Sequence, residues 1–321
     1  MHAQFRSVLL KYGFSQGKAE ICARIFAQNS LEGVYSHGLN RFPVFIEHVK
    51  EGLVKTDTEP EVTGRIGQIE QWNGNFAPGM YNATLAMKRA IELAKENGIG
   101  AVAIKNTNHW MRGGTYGWQA ANAGCIGLCM TNTIANMPPW GGAEPRLGNN
   151  PLIISVPYAK GNIVLDIAMS QYSYGKLQEY QLKNELLPFA GGYDAQGQLT
   201  NDPSAIRSSM RVLPIGFWKG SGLSLMLDLL VSLLSEGRST ASISNTSKEY
   251  GLSQFFLCMY QDQWDEALID EIIAYTKSST FAEGGQGLRY PGEGTARTRA
   301  QNLKEGIPVN EEIWEKVVSE V

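Results

Sequence analysis

The sequence predicts an α/β protein, and three observations carry that prediction. Five apolar runs of strand length punctuate the chain, at residues 99–104, 124–130, 152–156, 163–167 and 255–260. Between and around them stand segments whose apolar residues recur at helical spacing. The Gly-x-Gly-x-x-Gly sequence that opens a conventional dinucleotide-binding unit is missing; Gly98-Ile99-Gly100 comes closest, but it opens a strand and lacks the third glycine. The Walker phosphate loop is missing too.

In chain order, residues 5–29 read as amphipathic helix, with Phe5, Val8 and Leu9, then Ala19, Cys22, Ile25 and Phe26 on one face. Gly13-Phe14-Ser15 interrupts it, and Ser15 suits the cap of the second half. Residues 42–49 form a short helix that ends near Gly52. Residues 53–75 read as a hairpin or short strand pair, with Asn73-Gly74 as the turn signal. The clearest helix is 80–97, striped by Ala83, Met87, Ala90, Ile91 and Ala94 and closed by Gly98. The strand at 99–104 then delivers His109 at its C-terminal end, where α/β proteins commonly place ligands.

A helix at 115–122 and the strand at 124–130 lead into a long loop, 137–151, of a kind more often functional than idle. The strands at 152–156 and 163–167 flank a Gly161-Asn162 turn. Residues 168–215 are mixed, with surface loops around Gly191-Gly192 and 193–203. The helix at 223–234 has only Ser224, Asp228 and Ser232 as a polar stripe, which predicts a mostly buried element, with Ser221 as an ordinary N-cap. Helices at 265–278 and 310–321 complete the pattern. With no repeat, low-complexity tract or linker, residues 1–321 are expected to form one unit. Its N-terminal helical segment is 1–52 and its core roughly 75–295.

Hydrophobic residues make up 43% of the 321 and charged residues 18%, a globular composition with a formal net charge of -3. No lysine- or arginine-rich run marks a nucleic-acid or anionic membrane surface. No apolar run has signal-peptide or membrane-span length, so a cytoplasmic protein is expected. Cys22, Cys125, Cys129 and Cys258 sit in apolar surroundings. Cys125 and Cys129 share a strand face, but no further Cys/His pair completes a metal site, so buried free thiols are expected.

The candidate chemistry concentrates at Tyr35-Ser36-His37-Gly38-Leu39-Asn40-Arg41-Phe42-Pro43 and at Asn108-His109-Trp110-Met111-Arg112-Gly113-Gly114. An imidazole exchanges protons near neutrality and a guanidinium holds a carboxylate through a planar fork, so the pair suits an anionic, oxygen-rich small molecule. A plain helix end, with Gly38 left-handed and His37 on a last-turn carbonyl, fits the first stretch equally well. Trp218-Lys219-Gly220-Ser221-Gly222 before a helix and Pro291-Gly292-Glu293-Gly294-Thr295 both suit a phosphate, and both also suit ordinary turns. Asp166, ending a strand, suits either a ligand hydroxyl or a turn cap.

The order and spacing of Ser36–Pro43, Asn108-His109-Trp110, Trp140-Gly141-Gly142, Gly148-Asn149-Asn150-Pro151 and Trp218-Lys219-Gly220 resemble the malate/L-lactate dehydrogenase family, over nearly the whole chain. The resemblance implies a non-Rossmann α/β fold with a large mixed sheet that binds the cofactor and helices around it. It implies a homodimer using NADH, with NADPH as the alternative. The implied reaction reduces a sugar-acid substrate, 2,3-diketo-L-gulonate, with hydride to C2 and His37 as the proton donor. Cofactor contacts would fall on Asn162, Ile163, Val164, Leu165, Asp166, Ile167 and Ala168, on Trp218 and Lys219, and on Gly292, Glu293 and Gly294. Ser36, Arg41 and His109 match positions near substrate, with Arg41 or Arg112 on the carboxylate; some relatives are discussed with the second histidine as the donor. Malate, lactate, ureidoglycolate or a cyclic imino acid is the alternative substrate within the family. A non-catalytic sugar-acid binding protein and a metal-dependent lyase are the readings from other classes, and no clustered metal-ligand set supports the latter.

Overall fold

The computed structural model describes residues 1–246, 248–282 and 287–320. Its elements, in order, are α1 (His2–Lys11), α2 (Gln16–Leu31), α3 (Phe42–Lys50), β1 (Glu61–Ile66), β2 (Ile69–Asn73), α4 (Gly79–Asn97), β3 (Ile99–Thr107), α5 (Gly114–Asn122), β4 (Ile126–Thr131), β5 (Leu152–Val156) and β6 (Ile163–Ile167). There follow α6 (Tyr174–Leu182), β7 (Gly192–Tyr193), β8 (Leu199–Thr200), α7 (Pro203–Ser209), α8 (Trp218–Ser235), α9 (Thr240–Ser244), β9 (Leu252–Met259), α10 (Glu266–Lys277), α11 (Glu293–Glu305) and α12 (Glu311–Ser319). Two short 3-10 turns, Tyr35–His37 and Leu39–Arg41, link α2 to α3.

A seven-stranded mixed sheet, in the order β1-β2-β3-β9-β4-β5-β6, organises the molecule. Only β2 and β3 run parallel, and they are joined by α4, because parallel neighbours need a crossover. Late strand β9 inserts between β3 and β4 and pairs antiparallel with both. Along β3 the side chains alternate between two cores. Val102 and Ile104 pack with Met87, Ala90 and Tyr116 under α4 and α5. Ala101 and Ala103 pack with Leu227 and Val231 of α8 on the opposite face. Burial on both faces explains why this strand reads as one apolar run rather than an alternation. A third core, built on Phe5, Phe26, Phe42 and Phe45, holds α1, α2 and α3 together with Val317 of α12.

Ser15 caps α2 as expected, accepting from the Lys18 N–H, and Gly98 ends α4 at φ 80°. Three expectations are corrected. The β1–β2 hairpin turns at Gly67 (φ 58°), whereas Asn73-Gly74 ends β2; Gly74 N–H donates to the Lys105 carbonyl, so that dipeptide joins β2 to the end of β3. Residues 168–215 contain α6 and α7, two short helices without a long apolar stripe, as well as loops.

The third correction concerns α8. It starts at Trp218 behind Phe217 (φ 59°), so Ser221 lies within its first turn instead of capping it; the Ser221 hydroxyl accepts from the Trp140 N–H. Its burial is also inverted. Ser224 donates to the Gly148 carbonyl and Asp228 accepts from Asn132, so the polar stripe faces the protein. Leu225, Met226, Leu229 and Leu233 are left exposed. The inward stripe is set by loop backbone and amide groups that need partners. The four cysteines are buried and free, and no metal-sized cluster of His, Cys, Asp and Glu occurs among the described residues. Among those residues no helix is long and apolar enough to cross a membrane.

Candidate active site

A cavity of about 610 Å³ opens between the N-terminal helical layer and the β4–β6 end of the sheet, a size suited to a small-molecule or cofactor site. Ser36, His37, His109 and Arg112 line one side; Val164, Leu165, Asp166 and Ala168 line another. Thr133, Asn149, Ser173 and the strap from Arg289 to Gly292 complete it.

His37 is fixed through its backbone. Buried Asn29 of α2 donates to the His37 carbonyl at 2.9 Å, and Ser30 Oγ accepts from the Leu39 N–H at 2.9 Å. Between these bonds Gly38 passes so close to α2 that a Cβ would stand 2.3 Å from Ser30 Oγ. Gly38 is therefore required for close approach; its φ of -110° is not left-handed, unlike in the plain helix-end reading. The ring hydrogen-bonds through Nδ1 to Ser36 Oγ at 3.0 Å, and no partner for Nε2 is found among the described residues.

His109 lies beside it, with ring centroids 5.7 Å apart and planes 28° from parallel. Its Nδ1 accepts from the Met111 N–H at 3.0 Å, which places the proton of the neutral ring on Nε2. That nitrogen lies 3.9 Å from Glu249 Oε1. Burial drives both imidazoles toward the neutral form. His37 is pulled down to about 4 by desolvation, opposed by Asp166 and reinforced by Arg41 and Arg112. His109 is lowered by desolvation, then by Arg41 and His37. Desolvation likewise raises Glu249, whose Oε2 accepts from the Ile134 N–H.

The two candidate carboxylate clamps differ. Arg112 is buried and engaged, with Nη1 on Glu32, Nε 3.3 Å from Asp166 Oδ2 and Nη2 3.3 Å from Thr295 Oγ1. Arg41 makes no ion pair among the described residues, and although it is not part of the cavity wall its charge bears on His37, His109 and Glu249.

The predicted cofactor segments separate in the same way. Val164, Leu165, Asp166 and Ala168 wall the cavity, while Ile163 and Ile167, the two end residues of β6, do not line it. Asn162 is spent on structure, accepting from the Tyr158 N–H and donating to Asn122. Gly292 stands at φ 96° against Val164, where a Cβ would meet Val164 N at 3.1 Å, and Pro291 accepts from that N–H. It precedes α11 without a side-chain cap, and Thr295 of the first turn lines the cavity, so this helix N-terminus fits a phosphate. Glu293 points elsewhere, to Lys277 at 2.8 Å. Trp218 and Lys219 are exposed at the head of α8 and do not wall this cavity. Glu32, Glu249 and Arg289 had no signal in the sequence, each being a single polar residue in a segment that reads as a helix end or a turn, whereas Thr295 closes the glycine-rich turn already singled out.

The sequence profile of the malate/L-lactate dehydrogenase family matches residues 1–318. The 2,3-diketo-L-gulonate reductase of Escherichia coli O6:K15:H31 (strain 536 / UPEC) is 44% identical, covering 99% of this chain and 97% of its own. The malate dehydrogenase of Pyrococcus horikoshii OT3 superposes with a TM-score of 0.90 at 29% identity, over 99% of this chain and 92% of that one. The malate dehydrogenase of Entamoeba histolytica, 24% identical over 99% and 94% of the two chains, shares the fold with a TM-score of 0.93.

Proposed function

The chain belongs to the malate/L-lactate dehydrogenase family, and from that membership we propose that it is an oxidoreductase reducing 2,3-diketo-L-gulonate to 3-dehydro-L-gulonate. Relatives 43–44% identical over nearly their full length carry the name of that reaction. The observation that carries the mechanism is the unequal pair of histidines: His109 has its Nδ1 bonded to backbone and its Nε2 near Glu249, whereas His37 Nε2, at the cavity, has no partner among the described residues.

His37 is the proton donor to the keto oxygen at C2, with Ser36 holding Nδ1 and thereby the ring plane. Arg41, which has no carboxylate partner among the described residues, takes the substrate carboxylate. His109 donates from Nε2 to a substrate oxygen or stays with Glu249, and Asn149 and Thr133 offer hydrogen bonds to hydroxyls. The nicotinamide cofactor, NADH with NADPH as the alternative, supplies the hydride when bound. Val164 to Ala168 would hold it along β6, with its phosphates toward Gly292 and Gly294.

The protein acts as a homodimer in the cytoplasm. The exposed apolar face of α8 supports the dimer, since Leu225, Met226, Leu229 and Leu233 form a stripe that a monomer would leave in water. It also bears on Trp218 and Lys219, whose contact with cofactor requires a second copy to bring the head of α8 to the cavity.

The test is oxidation of NADH or NADPH by the purified protein with 2,3-diketo-L-gulonate, beside pyruvate and oxaloacetate. Preference for the diketo sugar acid is expected. Activity with the small keto acids alone would keep the His37 mechanism and replace the substrate; no activity with any of them would leave a binding protein.

A further inference from the structure

Arg112 is placed where the cavity's three walls meet. Its Nη1 bonds Glu32 at the C-terminus of α2, its Nε reaches Asp166 Oδ2 on β6, and its Nη2 reaches Thr295 in the first turn of α11. Nε, Nη1 and Nη2 thus each have a protein partner, which commits the fork to the protein and leaves one N–H on each of Nη1 and Nη2. Glu32 is buried and further held by Arg299 at 3.1 Å and Gln28 at 3.0 Å. Asp166 is held from a second side by the Gly114 N–H at 2.9 Å. Around these bonds α11 lies directly on the end of α2. Asn302 donates to the Leu31 carbonyl, and a Cβ on Gly33 would stand 2.8 Å from Thr298.

We propose that Arg112 is a positioning residue, which fixes Asp166 beside His37 and ties the cofactor wall to the layer that carries the proton donor, with Glu32 as its anchor. The proposal rests on the proton-donor reading of His37 given above. The groups facing His37 are Asp166 from β6, Arg112 and His109 from the turn after β3, Arg41 from its own turn, and Ser36 next to it. Of these, Asp166 favours the imidazolium while Arg41 and Arg112 disfavour it. Arg112 therefore acts twice, by its own charge and by partly cancelling the carboxylate it holds. A carboxylate clamp would act on substrate affinity instead.

The test is the titration of the His37 ring in the unliganded protein by NMR, with its resonance assigned through His37→Ala, together with KM and kcat for the keto acid. Arg112→Gln is expected to raise the His37 midpoint by about one pH unit, and to lower kcat with little change in KM. Arg112→Lys, which keeps the charge and loses the fork, is expected to keep the midpoint while kcat falls. Should Arg112→Gln not fold, Asp166→Asn keeps the bond from Gly114 and is expected to lower the midpoint. An unmoved midpoint in the folded variants overturns the proposal, as does a large rise in KM with kcat retained. The titration needs no turnover, so wild-type protein inactive on keto acids would sink the reaction proposed above and leave this inference to be decided by the midpoint.

Discussion

His37 and His109 have nearly parallel rings 5.7 Å apart, yet His37 Nε2 has no partner among the described residues while His109 Nε2 faces Glu249 Oε1 at 3.9 Å. His37→Ala should therefore reduce turnover roughly 10²- to 10⁴-fold, the usual contribution of a positioned acid. NADH affinity, read by fluorescence quenching, should be unchanged, and undiminished turnover would remove His37 from the mechanism. The pH dependence has a definite sign. Burial lowers the free enzyme's His37 to about 4, so the protonated donor becomes scarcer throughout the range above it. Thus kcat/KM for reduction should fall as pH rises across neutrality, while for the reverse oxidation, whose base is already deprotonated there, it should be level. A reduction profile flat between pH about 5 and 8 would contradict this. Arg41→Ala should raise the keto-acid KM roughly 10- to 100-fold, the worth of a charged hydrogen bond, with little effect on NADH affinity. An unchanged KM would end its role as the clamp.

At the scale of elements, the site depends on helices approaching loop backbone closely. The N-terminus of α4 touches the loop that carries His109, where a Cβ at Gly79 would lie 2.1 Å from the Asn108 carbonyl oxygen and 2.5 Å from that of His109. Gly79→Ala should cost about 1–3 kcal/mol of stability, and should lower kcat by shifting His109; calorimetry with kinetics checks both, and a fully active, equally stable variant would refute it. The exposed face of α8 carries another expectation. Leu229→Asp places a charge in the middle of the stripe and should shift the protein to monomer in sedimentation velocity, with weakened NADH binding if Lys219 serves a second copy's cavity. A Leu229→Asp protein with unchanged sedimentation would assign the face another role. Most helices with an apolar stripe were legible in the sequence, and β5 and β6 fell on their apolar runs. Helices α6, α7 and α11 were not, because they are short or polar and are held by contacts at their ends. Asn302 of α11, for example, is fixed by the Leu31 carbonyl.

Across the whole molecule, the buried neutral histidines couple folding to acidity. The unfolded chain takes up their protons below about pH 6.5, whereas the folded chain resists until lower pH. Their contribution to stability is thus complete above that value and is lost as pH falls toward about 4. The thermal midpoint should drop between pH 7.5 and 5, and should drop less in His37→Ala; an equal drop would show that other groups account for it.

What the sequence determined by itself was the family, the α/β class, the apolar strands and the two polar stretches that carry His37 and His109. Those properties are local, being set by side-chain periodicity, glycine at tight passages and runs of neighbouring residues. The tertiary structure decided the rest. It brought Glu32, Asp166 and Thr295, distant in sequence, onto one guanidinium. It left Arg41 without an ion pair among the described residues, and it set His109 Nε2 opposite Glu249 while His37 Nε2 has no partner among those residues. It also turned Ser221 and Ser224 of α8 inward and left Leu225, Leu229 and Leu233 out. Burial and pairing belong to the packed whole: a polar group taken from water must find whichever partner the fold brings within reach, and no local stretch of chain specifies which one that is.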